Sequence, residues 1–563
     1  MKITTIISSK AIRRTLLISS ITVVLAACGS EQESAAPATT SAVAELTGVE
    51  TQVAQGADLF ATNCAACHGT NLEGTTLGPI LSGNTFLQRW GSGTPTPLLN
   101  SIQTNMPPGG GSSLTADDYL SLTAHILSEN GMDTVTESLT ASSDLVIQDN
   151  VSAIAARRQR PAPPAPEGVT VAGNVDDFVP FVPVTDAILE NPADGDWPMH
   201  RRTYDANSYS PLDEINTENV GQLKLEWVWN MHEGDSEPAP LVYNGIIYLI
   251  NPGNVIQALD GKTGELIWEN WAGPANRQDM RNIAIYGDNI IQATTDARVI
   301  ALDARPGQQV WETEIAEFSK GFHNSSGPIV ADGKVIQGLA GCWYYIPEDC
   351  YISALDANTG ETQWQFETIA EMGQPGGDTW GGLDDVFRAG GETWITGSYD
   401  PELKLTYWGT AQQKPWVPVS RGMTIDDVGL YTNSTVAVNT DTGELDWFFQ
   451  HVPAEALDLD EVFERVLVNR GDEKLVFSLG KYGILWKNDR VSGEFKGYKE
   501  TVFQNAFTNI DPDTGEVTYR EDIQNAGLNE WTSACPSSAG GKDWHSMTYH
   551  QPSGTMIAPL SQT

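Results

Sequence analysis

Positive charge is scarce in this chain. Lysine and arginine together number 32, against 73 aspartates and glutamates, so the formal net charge at pH 7 is −41. Proteins that bind nucleic acid or anionic lipid surfaces need stripes of lysine and arginine. The deficit therefore argues against both kinds of partner, and we expect the acidic residues to form a solvated surface.

Long apolar runs are also missing, except at the N-terminus. No later run reaches the roughly 18–20 residues that are needed to span a bilayer. The basic first residues and the apolar stretch Leu16–Val24 are typical of a signal peptide over 1–28. Cys28 ends Leu-Ala-Ala-Cys, which resembles a bacterial lipobox, and an ordinary signal peptide with a chance cysteine is the alternative. We expect a flexible tether over 29–50 and a periplasmic protein anchored by lipid, at the outer membrane.

Cysteine is rare, and its placement is informative. Two of the six cysteines lie in Cys64-Ala65-Ala66-Cys67-His68, the Cys-x-x-Cys-His signature of covalent attachment of haem c. His68 is placed to ligate the iron, and Met106 would fill the sixth position and raise the reduction potential. The sequence therefore predicts a small all-α cytochrome c domain over 51–132 that transfers single electrons.

Three further cysteines follow the haem motif. Cys342 and Cys350 are close enough in sequence to form a disulfide in an oxidising compartment, which leaves Cys535 without a partner. Between the haem domain and this region, residues 133–195 include the proline-rich run 161–166. Such a run favours extended polyproline geometry, so a semi-rigid linker is predicted.

A repeat begins after residue 196. Each copy combines a short strand, a turn that usually reads Asp-x-x-Thr-Gly, and a second strand that contains an aromatic residue. A periodic aromatic residue in such an array indicates propeller blades, and we expect the tryptophans to dock neighbouring blades rather than carry chemistry. The copies lie at 258–268, 301–311, 354–364, 437–447 and, more weakly, 511–519.

The repeat resembles the tryptophan-docking motif of the eight-bladed methanol and ethanol dehydrogenase family, which depends on pyrroloquinoline quinone (PQQ). The resemblance also includes Asp196-Trp197-Pro198-Met199, Gly397-Ser398-Tyr399-Asp400-Pro401 and Gly540-Gly541-Lys542-Asp543-Trp544, and it covers essentially all of residues 196–560 in a propeller domain expected over 196–563. It implies an all-β propeller preceded by the haem domain, as in a quinohaemoprotein alcohol dehydrogenase. The chain contains five repeats, whereas the family has eight blades. In relatives, a later cysteine forms a disulfide with the equivalent of Cys535. The propeller is therefore expected to be incomplete and the sequence C-terminally truncated.

The resemblance places Asp458 at the general-base position of these enzymes. Asp460 falls where lanthanide-using members carry an additional metal-binding aspartate, and Glu348 and Gln412 fall at the other metal positions, Gln412 replacing an asparagine. Clustered carboxylates repel each other and favour a hard cation, so Ca²⁺ or a lanthanide ion is expected. From the residues alone, a pair of surface acids at the start of a helix at Asp460–Phe463 is the alternative.

PQQ would lie on Trp394, which matches the tryptophan beneath the quinone ring in the family. An indole suits stacking on a flat heteroaromatic ring, although a tryptophan in a blade core is the alternative. The stretch around 278–280 lacks the two adjacent cysteines that many relatives carry. The resemblance implies further PQQ contacts at Glu237, Arg281, Ser325, Lys481, Asp543 and Trp544.

These observations predict oxidation of an alcohol to an aldehyde or ketone. Asp458 would take the hydroxyl proton while a metal ion polarises the quinone. Electrons would leave singly through the haem to a soluble cytochrome or another periplasmic acceptor. The alternative is a non-catalytic electron-transfer or binding lipoprotein with a degenerate propeller, because a fold alone does not establish an activity.

Overall fold

A computed structural model describes most of the chain as two compact units, within 9–163 and 164–563. The described residues are 48–72, 80–82, 86, 90, 94–106, 114–132, 138–140, 143, 147, 168–232, 237–273, 280–343, 350–528 and 530–563. In these ranges, no helix combines the length and the apolar character that crossing a bilayer requires. The predicted signal peptide, Cys28 and most of the tether lie outside the described residues.

The N-terminal unit is helical, as predicted. Its helices are α1 (Gly48–Asn63), α2 (Ala65–His68), α3 (Pro95–Asn105) and α4 (Ala116–Glu129). Helix α4 begins with a reciprocal capping box between Thr115 and Asp118. Helices α1 and α4 pack closely at Gly56, where an added Cβ would lie 1.9 Å from the carbonyl oxygen of Ser121. Buried apolar side chains, including Phe60 and Leu122, form the core of this unit.

The C-terminal unit consists of antiparallel sheets, most of them four-stranded, in which consecutive strands are neighbours. This arrangement confirms the predicted all-β class. Among the described residues, three short α-helices accompany the sheets: α5 (Asp186–Glu190), α6 (Pro418–Arg421) and α7 (Glu521–Gln524). The strands are β1 (Gly168–Val171), β2 (Leu241–Tyr243), β3 (Ile246–Asn251), β4 (Val255–Asp260), β5 (Leu266–Trp271), β6 (Ala284–Tyr286), β7 (Asn289–Ala293), β8 (Arg298–Asp303), β9 (Gln309–Glu314), β10 (Ile329–Ala331), β11 (Lys334–Gly338), β12 (Tyr351–Asp356), β13 (Thr362–Glu367), β14 (Ser398–Asp400), β15 (Leu405–Gly409), β16 (Ser434–Asn439), β17 (Leu445–Gln450), β18 (Val466–Arg470), β19 (Glu473–Leu479), β20 (Ile484–Asp489), β21 (Phe495–Glu500), β22 (Phe507–Ile510), β23 (Val517–Tyr519), β24 (Thr548–His550) and β25 (Thr555–Ile557).

The strands form five larger sheets and two hairpins among the described residues. β1 extends the sheet β2–β5, and the other four-stranded sheets are β6–β9, β10–β13, β14–β17 and β18–β21. The hairpins are β22–β23 and β24–β25. The inner strands are buried on both faces, as in β8 and β15, so the core runs between adjacent sheets and consists mainly of Ile, Val, Leu and Ala.

Tryptophans join successive sheets, as the repeat predicts. The indole of Trp268 donates to the carbonyl of Ala304 at 3.0 Å, and a Cβ on Gly307 would lie 2.4 Å from the same ring. Only glycine, here with φ of +71°, fits beneath the ring at this turn. The same contact recurs for Trp227, Trp311, Trp364 and Trp447. These residues are scaffold.

One short segment bonds to the first strands of three sheets. The carbonyls of Tyr204, Asp205 and Asn207 each accept a backbone N–H at 2.9 Å, from Tyr399, Leu467 and Tyr549 respectively. The donors lie in β14, β18 and β24, so residues 204–207 contact the first strand of three separate sheets.

Two predictions about the fold are wrong. The linker was expected to extend to residue 195, but β1 pairs with β5, and Val175, Val184 and Leu189 are buried in the sheet core. Because these three residues belong to the sheet core, the propeller unit begins earlier than predicted. The repeat count also missed the turn Asp489–Gly493, which docks on Trp447, because it reads Asp-Arg-Val-Ser-Gly and lacks the threonine and the following tryptophan.

Candidate active site

The haem motif lies on a short helical turn at the end of α1. Cys64 and Cys67 are half-buried, His68 is 5% exposed, and Cys64 and Ala65 pack against the apolar core of the unit. Met106 ends α3, where its carbonyl accepts a hydrogen bond from the Tyr119 hydroxyl at 3.0 Å. Two thiols and an imidazole beside an apolar core are the donor set that a covalently bound haem requires.

Asp458 and Asp460 lie in a loop between β17 and β18, next to Gln412 and Lys481. The Gln412 amide donates to Asp458 Oδ1 at 2.6 Å. The Lys481 ammonium contacts Asp460 Oδ2 at 3.0 Å. Asp460 is 5% exposed, and no helix begins there, so the alternative of surface acids at a helix start is wrong.

The electrostatics of this cluster favour a proton acceptor. Burial and the neighbouring Asp460 carboxylate raise the pKa of Asp458 to about 6. Burial opposes ionisation of Lys481, yet Asp460 and Asp458 hold the pKa of its ammonium above the ordinary value. A carboxylate whose pKa approaches neutrality is suited to general-base chemistry.

Two buried oxygens at this cluster have no hydrogen-bond partner. They are Gln412 Oε1 and Asp460 Oδ1. Together with the Asp458 carboxylate they form an oxygen-rich donor set that fits a hard cation such as Ca²⁺ or a lanthanide ion. No group of three or more His, Cys, Asp or Glu side chains suited to a metal occurs in the described ranges, and Glu348 lies outside them. The donors that the structure brings together are therefore two carboxylates and one amide.

Trp394 lies between cationic groups. The Arg281 guanidinium is 4.8 Å from the Trp394 ring centroid, and the Lys481 ammonium is 5.9 Å from it. Arg281 also pairs with Glu237 at 2.7 Å and donates to the carbonyl of Ser325 at 3.4 Å. An aromatic face bordered by two cations fits a planar anion with carboxylate groups, which is the chemistry of PQQ.

The remaining predicted contacts lie near Lys481. The Asp543 carboxylate is among the charges that act on Lys481, and it accepts the backbone N–H of Trp544 at 2.8 Å. Trp544 packs with Trp394 and Phe463 around one small apolar cluster. The structure thus brings Asp458, Asp460 and Gln412 to one cluster, and joins it through Lys481 to Trp394, Asp543 and Trp544.

A disulfide joins Cys342 and Cys350, with 5.5 Å between their Cα atoms. Cys535 is half-buried and makes no disulfide to another described cysteine. The residues 344–349 between the bonded pair, and 274–279 before Met280, lie outside the described ranges.

Sequence reasoning missed a buried ion pair beside the site. Lys414 contacts Glu392, whose other oxygen accepts the backbone N–H groups of Gly341 at 2.9 Å and Cys342 at 3.3 Å. The Lys414 ammonium also lies 4.3 Å from the Trp343 ring centroid. Lys414 is two residues from Gln412 and Glu392 two from Trp394, so the pair ties together segments that carry site residues. The only signal in the sequence is a charged residue two positions from each of these two predicted site residues.

A second missed residue is Glu455. It is completely buried, accepts backbone N–H groups of the Asp458 loop, and burial raises its pKa to about 7. Its sequence context offers no signal, because Ala-Glu-Ala is unremarkable in a loop.

Comparison with known proteins gives two family matches. A model of the glucose/ethanol/alcohol dehydrogenase β-propeller domain (PQQ) matches residues 197–495. A model of cytochrome c oxidase, cbb3-type, subunit III matches residues 51–126. The second match covers the helical unit that carries the haem motif.

Individual relatives agree with these matches. The chain is 32% identical over 396 residues to quinohemoprotein alcohol dehydrogenase ADH-IIG of Pseudomonas putida, covering 65% of this chain and 54% of that protein. It is 31% identical over 402 residues to the dehydrogenase subunit of alcohol dehydrogenase (quinone) of Gluconobacter oxydans strain 621H, covering 65% of this chain and 53% of that subunit. The chain therefore spans about half the length of these curated relatives.

Solved structures show the same likeness. The ADHIIG structure from Pseudomonas putida HK5 has a TM-score of 0.62 and 29% identity, over 68% of this chain and 60% of that chain. The quinohemoprotein alcohol dehydrogenase of Comamonas testosteroni has a TM-score of 0.61 and 28% identity, over 67% of this chain and 59% of that chain. Because the propeller model matches more than half of its residues, this chain belongs to the PQQ family of glucose, ethanol and alcohol dehydrogenase β-propellers.

Proposed function

We propose that this protein is a quinohaemoprotein that oxidises an alcohol to an aldehyde or ketone, using PQQ and a Ca²⁺ or lanthanide ion, and passes the electrons through haem c. The observation that carries the proposal is the half-buried Asp458, with its raised pKa, in a cluster linked by Lys481 to the cation-bordered face of Trp394. A propeller used only as a scaffold has no need to place these groups together. The names of the relatives support the same chemistry.

Different residues would bind PQQ and the cation. PQQ, when bound, supplies a two-electron acceptor. Trp394 provides the stacking face, while Arg281 and Lys481 bind anionic groups at its borders. Gln412, Asp460 and Asp458 would hold the cation.

Asp458 acts as the base. Its Oδ1 accepts from Gln412, which leaves Oδ2 for the hydroxyl proton of the alcohol. The amide of Gln412 fixes the orientation of the carboxylate, and partial burial reduces its solvation by water.

Electron exit would use the haem unit. Cys64 and Cys67 would hold the haem covalently, with His68 and Met106 as axial ligands. The receiving partner would be a soluble cytochrome or another periplasmic acceptor. Location in the periplasm with a lipid anchor at Cys28 is supported by the N-terminal sequence pattern alone.

The test is an Asp458→Asn variant, assayed for alcohol-dependent reduction of a dye and of the haem, with PQQ and CaCl₂ or LaCl₃ added. We expect loss of activity by about 10²–10⁴-fold at unchanged haem content, because the amide accepts no proton at neutral pH. Asp511→Asn, in an exposed turn, is the control and should retain activity. An unchanged rate in Asp458→Asn, or haem reduction by alcohol without PQQ, would contradict the proposal. A folded, haem-loaded wild type that oxidises no alcohol would favour the non-catalytic lipoprotein.

A further inference from the structure

The backbone of Asp458 lies in the left-handed region, which few residue types other than glycine, asparagine and aspartate adopt. Its φ is +61°, and a residue with a Cβ pays a cost in backbone free energy there. Such a conformation persists only where surrounding contacts hold it.

The Glu455 carboxylate provides such contacts to the backbone of Asp458. Its Oε1 accepts the backbone N–H of Leu457 at 2.7 Å, and its Oε2 accepts the N–H of Asp458 at 3.1 Å. Both oxygens of one side chain are therefore bonded to the backbone that leads into the candidate base. Since Glu455 is fully buried, no competing water weakens these bonds.

Glu455 is itself held by a residue of the turn between β19 and β20. The Tyr482 hydroxyl donates to Glu455 Oε1 at 2.9 Å, and Tyr482 is fully buried. The preceding residue, Lys481, pairs with Asp460 at 3.0 Å, and its backbone N–H bonds the carbonyl of Asp460 at 3.1 Å. One turn, 480–482, therefore fixes both aspartates: Asp460 directly and Asp458 through Glu455.

We propose that Glu455 is a positioning residue that holds the Asp458 carboxylate in the orientation needed to accept the alcohol proton and bind the cation. This inference rests on the proposed role of Asp458. An amide at position 455 has only one acceptor oxygen, so Glu455→Gln leaves one of the two N–H groups facing an NH₂ group, and the backbone of Asp458 must move. Tyr482→Phe keeps the carboxylate and removes only the group that orients it.

The chain contains a matched control. Asp511 Oδ1 accepts the N–H groups two and three residues later, Asp513 and Thr514, each at 2.9 Å. This is the same spacing as for Glu455, but in an exposed docking turn remote in sequence from the site. Asp511→Asn makes the same carboxylate-to-amide change away from the base, and because the single oxygen Oδ1 accepts both N–H groups, the amide can keep both bonds.

The experiment compares these variants by two readouts on the full chain. The first is titration with LaCl₃ followed by thermal unfolding, without PQQ or alcohol. The second is the kcat and KM of alcohol-dependent dye reduction with PQQ. For Glu455→Gln we expect lanthanum affinity and kcat to fall by about 10–100-fold with a smaller change in KM, and for Tyr482→Phe a smaller loss in the same direction. Asp511→Asn should match the wild type.

Glu455→Gln with unchanged lanthanum affinity and kcat in a folded protein would overturn the positioning role. So would losses that follow only the folded fraction measured by circular dichroism. If the wild type binds lanthanum but oxidises no alcohol, the proposed function fails and the lanthanum titration alone decides the role of Glu455. A wild type with neither response would overturn both.

Discussion

At the residue scale, ion pairs withdrawn from water connect the segments around the site. Glu392 is 6% exposed, and burial opposes its ionisation, but Lys414 and backbone donors hold the pKa of its carboxyl below the ordinary value. Lys542 and Glu464 form a second such pair at 2.8 Å, with both side chains 0% exposed. A buried charge left without its partner is strongly destabilising.

We expect Lys414→Met to lower the free energy of unfolding by about 3–5 kcal/mol, because it leaves the Glu392 carboxylate buried and unpaired. The double variant Lys414→Met with Glu392→Gln should recover much of this loss. Denaturant unfolding of the single and double variants measures the coupling. Lys496→Met, which breaks the exposed pair with Glu494, should change stability far less. Equal losses in the single and double variants would contradict this account.

Cation binding should depend on pH through Asp458. Its pKa is raised to about 6, so below that pH the carboxyl is largely neutral and a poor ligand. The stabilisation of the propeller by LaCl₃ should therefore be small at about pH 5, rise through about pH 6 and level off above about pH 7. Thermal unfolding with and without LaCl₃ measures this stabilisation at each pH. In Asp458→Asn the increase of this stabilisation with pH should disappear. An increase that persists would show that another group titrates.

At the element scale, the repeating unit is a sheet whose outer aromatic residue covers the glycine turn of the next sheet. Trp364 donates to the carbonyl of Thr440 at 2.9 Å, and a Cβ on Gly443 would come within 2.7 Å of its ring. The segment that carries Trp227 docks in the same way on Gly264, although the described residues include no sheet partner for it. Docking is thus independent of strand pairing.

Gly443→Ala should destabilise the propeller more than Gly471→Ala. Both glycines have positive φ, +75° and +61°, so the cost in backbone strain is similar. Gly471 has open space where the Cβ would stand, whereas Gly443 faces Trp364. The difference between the two free energies of unfolding should be about 1–3 kcal/mol, the usual cost of overpacking. Equal losses in chemical denaturation would show that docking contributes little.

At the scale of the whole molecule, the chain contains two compact units with separate apolar cores. Units with their own cores unfold as separate cooperative transitions when little couples them. We expect haem absorbance to follow the N-terminal transition and tryptophan fluorescence mainly the propeller. LaCl₃ should raise only the propeller transition. A single transition by both probes, shifted as a whole by LaCl₃, would contradict two independent units.

The local sequence was sufficient for much of this protein. The haem motif, the capping box at Thr115 and the docking turns were predictable because each depends on residues within one short segment. The boundary at 168 and the turn at 489–493 were not, since β1 is defined by its pairing with β5 and the turn by its contact with Trp447.

For the site, the sequence by itself determined the kinds of group available: a carboxylate pair at 458 and 460, an amide at 412, a tryptophan at 394 and cations at 281 and 481. Only the tertiary structure decided which of them meet and in what state of charge. The raised pKa of Asp458 depends on its burial, while the ion pair of Glu392 with Lys414 and the bond of Tyr482 to Glu455 each join residues more than twenty positions apart. Such contacts depend on burial and distance, and neither is encoded in any one segment.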